Sequence, residues 1–239
     1  MDFAGKVAVV TGASRGLGAG MAAAFRAQGV KVGVCARTRP SLEGPDVVSA
    51  SLDVTDGEAL EAFGAEVART LGPIDLWVNN AAILTPIVFA RDLSSADLAR
   101  HLEINVIGCL LGAQVFLRHR AEEGTLINVS SGSALKGYAG WTAYCASKAA
   151  LDRLSECLAE EEGGGFRVFS VAPGVIDTDM QRTIRSTPKE RFPLLDSFLQ
   201  LKADEAFNST EYVAAEFLKI AFDPAAAPVE VVVRLAPQA

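Results

Sequence analysis

The sequence is poor in the residues that build metal centres and disulfide frameworks. Its four cysteines, Cys35, Cys109, Cys145 and Cys157, fall at spacings that suit neither. They read as reduced thiols, which points to a cytoplasmic protein. The two histidines, His101 and His119, stand far apart and carry no carboxylate pattern, so no metal is expected. Positive charge is in deficit: 22 Lys and Arg stand against 29 Asp and Glu, for a net charge of −7. With no basic cluster, nucleic acid is excluded as an expected partner. No apolar run approaches the roughly 18 residues needed to cross a bilayer, so no membrane partner is expected. The opening Met1-Asp2-Phe3-Ala4-Gly5-Lys6 passes straight into a strand pattern and leaves no room for a signal peptide. No linker, repeat or low-complexity tract divides the chain, so residues 1–239 are expected to form one domain.

What is present is half hydrophobic and alternates between strand and helix patterns. Val7-Ala8-Val9-Val10 is a continuous apolar run, as expected of a parallel strand buried on both faces. The loop Thr11-Gly12-Ala13-Ser14-Arg15-Gly16-Leu17-Gly18 follows, and Met21 to Phe25 continues it as an apolar helix. Glycines there would let the backbone approach a pyrophosphate, and a helix N-terminus attracts its charge. By itself such a loop is equally an ordinary strand–helix turn. Further strands are predicted at Val30–Cys35, Val47-Val48, Ile74–Val78, Thr125–Val129 and Phe166–Val171, with a final edge strand at Val229–Val233. One helix is expected from Ser95 to His119, and another from Thr142 to Glu162 that ends in Glu160-Glu161-Glu162-Gly163-Gly164-Gly165. Residues 181–201 read as polar and irregular, and Ser209–Phe222 as an amphipathic helix. This alternation predicts an α/β fold with a doubly wound parallel sheet and helices on both faces.

Tyr144 and Lys148 lie four apart on one helical face and can approach each other. An ammonium at ~4 Å in an effective dielectric of ~20 contributes about 4 kcal/mol, or roughly three pKa units. The phenol is therefore expected below its ordinary pKa, as general acid–base work requires. Ser130-Ser131 ends a strand pattern thirteen residues before Tyr144, and Asn105 is a polar residue in an apolar helical stretch.

Taken together, Thr11-Gly12-x-x-x-Gly16-x-Gly18, Asn105, Ser131, Tyr144 and Lys148 resemble the short-chain dehydrogenase/reductase family. The resemblance implies a Rossmann-type sheet of about seven strands. It assigns residues 1–130 mainly to dinucleotide binding, and residues 131–239 to the catalytic helix and a mobile substrate cover. It implies Ser131, Tyr144, Lys148 and Asn105 as the catalytic set, with Asn105 anchoring a water in a proton relay. Cofactor contacts are implied for Gly12, Ser14, Arg15, Gly16, Leu17, Gly18, Arg37, Asp53, Val54, Asn79, Ala81, Pro173, Gly174, Ile176 and Thr178, besides Tyr144 and Lys148. Asn79-Asn80-Ala81-Ala82 departs from the family's pattern in Ala82, where a glycine is usual. Ala36 stands where an acid would bind the ribose hydroxyls, and Arg15 with Arg37 favours a 2′-phosphate, hence NADP(H). Either arginine could also be a solvated surface charge, and Asp53 a helix cap. A homodimer or homotetramer is implied through the helices carrying Asn105 and Tyr144.

Within the family, the stretches from Tyr144 to Ala150 and from Ala172 to Gln181, with Leu201-Lys202, resemble the branch that holds sepiapterin reductase and bacterial benzil reductase. That implies an NADPH-dependent reductase acting on one carbonyl of a vicinal diketone. A broad-specificity alcohol dehydrogenase, a 3-oxoacyl reductase and a non-catalytic NADP-binding sensor or scaffold are the alternatives. Substrate contacts are expected from Ser131, Tyr144, Asp179, Met180 and Glu230. Glu230 could equally be an edge-strand charge that discourages aggregation.

Overall fold

The strand and helix patterns assemble around a single sheet in the computed structural model, which describes residues 3–163 and 165–238. Met1, Asp2 and Gly164 of the stretches read above lie outside the described residues. Seven strands pair in parallel in the order β3-β2-β1-β4-β5-β6-β7. They are β1 (Val7–Thr11), β2 (Lys31–Ala36), β3 (Val47–Ser51), β4 (Ile74–Asn79), β5 (Arg120–Val129), β6 (Phe166–Ala172) and β7 (Val232–Arg234). The helices are α1 (Gly16–Ala27), α2 (Gly57–Leu71), α3 (Ser95–Leu102), α4 (Gly108–His119), α5 (Thr142–Glu161), α6 (Asp179–Arg185), α7 (Leu195–Ala203) and α8 (Thr210–Phe222).

Alternation along β1 explains why helices cover both faces. Ala8 and Val10 join the core under α1 and α8, with Met21, Phe25, Val213 and Phe217. Val7 and Val9 point the other way, into a core with Leu60, Phe63 and Val67 of α2, Phe116 of α4 and Leu158 of α5. Both faces are thus sealed by apolar side chains, and only the strand ends remain for chemistry. Right-handed crossovers bring the carboxyl ends of all seven strands to one rim.

Three expectations change. The helix over 95–119 is interrupted by a π-helical turn at Glu103–Ile107, which carries Asn105. A π turn adds a residue to the helical ladder and commonly marks a functional position. Residues 181–201 are not irregular: α6 and α7 lie there, and they bury Ile184, Phe192 and Phe198 in a third apolar cluster at the rim. The last strand begins at Val232, so Glu230 lies outside it.

Candidate active site

The glycine loop is held from the side opposite its opening. Helix α1 starts at Arg15 with extended backbone, no side-chain cap and no acid in its first turn. Its first amides are left to water or to a ligand, and the helix dipole favours an anion there. A methyl group on Gly12 (φ +68°) would stand 2.7 Å from the Ala81 Cα, and one on Gly18 only 2.4 Å from the Asn80 Nδ2. Glycine is required at both because the chain after β4 packs directly on the loop. Asn80 Nδ2 donates to the carbonyls of Thr11 (2.9 Å) and Gly12 (3.3 Å). Thr11 Oγ1 accepts from the amides of Asn80 (3.0 Å) and Ala81 (3.2 Å). Ser14 and Leu17 are half-buried along the loop, and Ala82 is accommodated half-buried beside Ala81.

The two asparagines at the end of β4 face different ways. Asn79 is turned into the protein. It accepts from Trp77 Nε1 (2.8 Å) and donates to the Cys109 carbonyl and to Asn128 Oδ1 (both 2.9 Å). Its side-chain amide is thus engaged by three buried partners. Asn80 and Thr11 are the residues that shape the loop, and the Asn-Asn pair ending the β4 pattern was the available signal.

At the other end of the cleft, Ala36 is buried where β2 ends, and Arg37 next to it is exposed. Asp53 Oδ1 accepts from the amide (3.1 Å) and the hydroxyl (2.9 Å) of Thr55, closing a local turn. The α2 cap is Asp56, which accepts from the Ala59 amide. Burial works to raise the Asp53 pKa, but the Thr55 hydrogen bonds together with Arg100 and Arg37 hold it below the usual value. Val54 packs where a methyl group on Gly108 would come within 2.8 Å, at the start of α4.

Ser131, Tyr144, Lys148 and Asn105 are brought together where β5 ends and α5 begins. Ser131 is extended and caps the short 3-10 turn Gly132–Ala134 by accepting from the Ser133 amide (3.1 Å). The adjacent Ser130 faces inward instead and donates to Asp152 (2.5 Å). Spacing favoured Ser131, and the inward turn of Ser130 explains why only one of the pair is available. Lys148 is 3% exposed and donates to the Val129 carbonyl at 2.7 Å; its Nζ lies 5.7 Å from the Tyr144 ring centre. Asn105 donates to the Ile83 carbonyl (3.0 Å) and to Ser147 Oγ (3.0 Å), and accepts from the Ile83 amide (2.8 Å). Its side chain thereby ties the loop after β4 to the second turn of α5. Its backbone carbonyl accepts from Cys109 Sγ at 3.3 Å.

The expected depression of the Tyr144 pKa is reversed. Burial pushes this phenol up to about 12; a hydrogen bond with Ser131 pulls it back, and Cys145 adds to the rise. Burial also lowers the Lys148 pKa, against the raising effect of Cys109 and Asp152. Desolvation disfavours the charged form of each group and is the largest cause of both shifts.

Beyond Tyr144 the wall is aromatic. Trp141 stacks on Phe192 with ring centres 5.0 Å apart, meets Phe198 and Tyr144 edge-on, and lies tilted against Tyr138. These residues went unremarked in the sequence, although Phe192, Leu195 and Phe198 recur at helical spacing. Met180 packs partly buried on the same cluster. Asp179 faces the glycine loop: its carboxylate pairs with Arg15 (3.4 Å) and with Arg182. Thr178 reaches the same place, since a methyl group on Gly16 would lie 3.4 Å from its Cγ2. Gly174 (φ +81°) and Pro173 turn the chain after β6, and Asn208 secures that turn by donating to the Pro173 carbonyl (2.9 Å). Ile176 packs partly buried on the core below. Glu230 does not join this group. It lies beside Arg153, Glu156 and Glu160 on the later turns of α5, away from Tyr144 at the helix start. The reason is strand direction: in a parallel strand the residue before its start lies at the rim opposite the site.

Comparison with known proteins follows the same lines. A family model described as short chain dehydrogenase matches residues 6–189. The chain is 31% identical over 225 residues to benzil reductase ((S)-benzoin forming) of Bacillus subtilis (strain 168), covering 89% of this chain and 91% of that one. The crystal structure of the KRED1-Pglu enzyme matches with a TM-score of 0.85 at 31% identity, covering 96% of this chain and 100% of that one. A short chain dehydrogenase from Burkholderia cenocepacia J2315, in complex with NADP, matches with a TM-score of 0.79 at 27% identity, over 98% and 97%. The chain therefore belongs to the short-chain dehydrogenase/reductase family, as an oxidoreductase acting between carbonyl and alcohol groups.

Proposed function

We propose that this protein is an NADPH-dependent carbonyl reductase that reduces one carbonyl of a compact vicinal diketone. The observation that carries the reading is the convergence of Ser131, Tyr144 and Lys148 beside an uncapped glycine-loop helix. The likeness to benzil reductase supports the choice of substrate.

The residues present fit a nicotinamide dinucleotide. Gly12, Ser14 and Gly16 to Gly18 would hold its pyrophosphate, Asp53 and Val54 its adenine, and Arg15 and Arg37 a 2′-phosphate. Ala81, Pro173, Gly174, Ile176 and Thr178 would border the nicotinamide and its ribose, with Tyr144 and Lys148. In this reading residues 1–130 mainly bind the dinucleotide, and residues 131–239 supply catalysis and the cover. When bound, the reduced nicotinamide supplies the hydride.

The chain's own work is to hold the carbonyl and to move a proton. Ser131 donates a hydrogen bond to the substrate oxygen. Tyr144, protonated at neutral pH, gives its phenolic proton to that oxygen as negative charge develops there. Lys148 then stabilises the tyrosinate through its nearby positive charge. Asn105 fixes the second turn of α5, and its backbone carbonyl anchors the water through which Tyr144 regains a proton.

Initial rates with benzil and 1-phenyl-1,2-propanedione, using NADPH and NADH, test the reading. NADPH is expected to be favoured tenfold or more, since charge-assisted phosphate contacts are worth about 1.5–3 kcal/mol each. Ala36→Asp should erode or reverse that preference by repelling the phosphate. Equal efficiency with both cofactors would remove Arg15 and Arg37 from the site, and failure on both diketones would overturn the substrate.

A further inference from the structure

The last strand delivers a charge to the site that the reading above leaves unused. Arg234 ends β7 opposite Ala172, the residue before the Pro173-Gly174 turn, and the following Leu235 amide donates to the Ala172 carbonyl at 3.0 Å. Val233 and Leu235 pack on the core under α1 and α8. Alternation therefore sends Arg234 to the other face, the one that carries α5. Its guanidinium arrives beside the catalytic serine: a methyl group on Gly132, the residue after Ser131, would lie 3.8 Å from Arg234 Nη1.

The arginines and the lysine near Asp177 and Asp179 are already paired. Arg15 and Arg182 pair with Asp179, and Arg185 and Lys202 pair with Asp177 at 2.8 and 2.7 Å. Arg234 is exposed and has no ion pair or hydrogen bond among the described residues. A guanidinium presents five donors in a fixed plane and matches a carboxylate with two parallel hydrogen bonds.

We infer that Arg234 selects the substrate: it receives a carboxylate adjoining the carbonyl that Ser131 and Tyr144 address. This rests on the carbonyl-reductase reading and refines it. Among vicinal dicarbonyl compounds, those whose second group is a carboxylate, the 2-oxo acids, are bound through Arg234.

Phenylglyoxylate and 1-phenyl-1,2-propanedione present the same aryl ketone beside a carboxylate or a neutral acetyl group, and so isolate the charge. Both are assayed with NADPH in the wild type, Arg234→Met and Arg234→Lys. Arg234→Met should lower kcat/KM for phenylglyoxylate about tenfold to a hundredfold, mainly through KM. Values for the diketone and the KM for NADPH should change less than about twofold. Arg234→Lys, which keeps the charge and loses the fork, should recover part of the loss. Equal losses on both compounds would make Arg234 a structural residue and overturn the inference. So would wild-type turnover of the diketone with none of phenylglyoxylate, while leaving the carbonyl-reductase reading intact. Failure of both compounds in the wild type would overturn that reading and the inference with it.

Discussion

A buried phenol beside a buried ammonium sets the chemistry at the scale of single residues. Tyr144→Phe keeps the ring and its packing but removes the transferable proton. Turnover should fall by about two to four orders of magnitude, the usual worth of a general acid, while NADPH still binds by fluorescence titration. Near-normal turnover would take Tyr144 out of the mechanism. The raised pKa also fixes a pH dependence of stability. Tyr144 goes from 10.0 in the unfolded chain to about 12 in the fold, so its contribution is complete below pH 10 and is lost as pH rises toward 12. Buried Cys35 and Cys109 act in the same sense, from 9.0 to about 12 and about 11. Lys148 acts in the opposite sense: its folded pKa lies below 10.5, so its contribution is present above that value and fades as pH falls through the lowered one. Denaturant unfolding between pH 9 and 11.5 should therefore show declining stability, less steep in Tyr144→Phe. An identical slope in the variant would mean that Tyr144 titrates normally in the fold.

At the scale of elements, one network locks α5 to the sheet. Asp152, one turn beyond Lys148, accepts from Ser130 Oγ (2.5 Å) at the end of β5 and from Ser170 Oγ (2.6 Å) in β6. A second network runs from Asn79 through Asn128 to Ser155, which back-bonds to the Leu151 carbonyl. Such groups stabilise only while every member is satisfied. Asp152→Leu would leave two buried hydroxyls without an acceptor, each costing about 1–3 kcal/mol. The urea midpoint should fall accordingly with little change in slope, whereas Asp152→Asn, which keeps an acceptor, should fall much less. Equal midpoints for the Leu variant and the wild type would show that the hydroxyls find other partners.

At the scale of the whole molecule, the two faces of the sheet are closed by helices, and α4 and α5 retain outward surface. Ile107, where the π turn meets α4, is 48% exposed. Burial of that surface in a two-fold pair would agree with the homodimer or homotetramer that the family resemblance implies. Light scattering should give twice or four times the chain mass, and Ile107→Glu should shift the population toward the monomer. A monomeric wild type at micromolar concentration would remove assembly from the account. Among the described residues no helix is long and apolar enough to cross a membrane.

What the sequence determined by itself is local. Runs such as Val7-Ala8-Val9-Val10 announce strands buried on both faces, glycine spacing marks a backbone that must be approached closely, and a four-residue interval puts Tyr144 and Lys148 on one face. Each of these depends on neighbours within a turn or a strand, so periodicity reveals it. Tertiary structure decided the rest because it depends on residues far apart in the chain. Desolvation by surrounding elements raised the Tyr144 pKa where pair attraction alone predicted a fall. Contacts across the sheet turned the Asn79 side chain inward and the Asn80 side chain onto the glycine loop, and engaged Ser130 rather than Ser131 with Asp152. The register of β7 on β6 carried Glu230 away and brought Arg234 to the serine. A one-residue shift in a strand reverses which face a side chain meets, and the register of β7 is fixed by its pairing with β6 across the sheet.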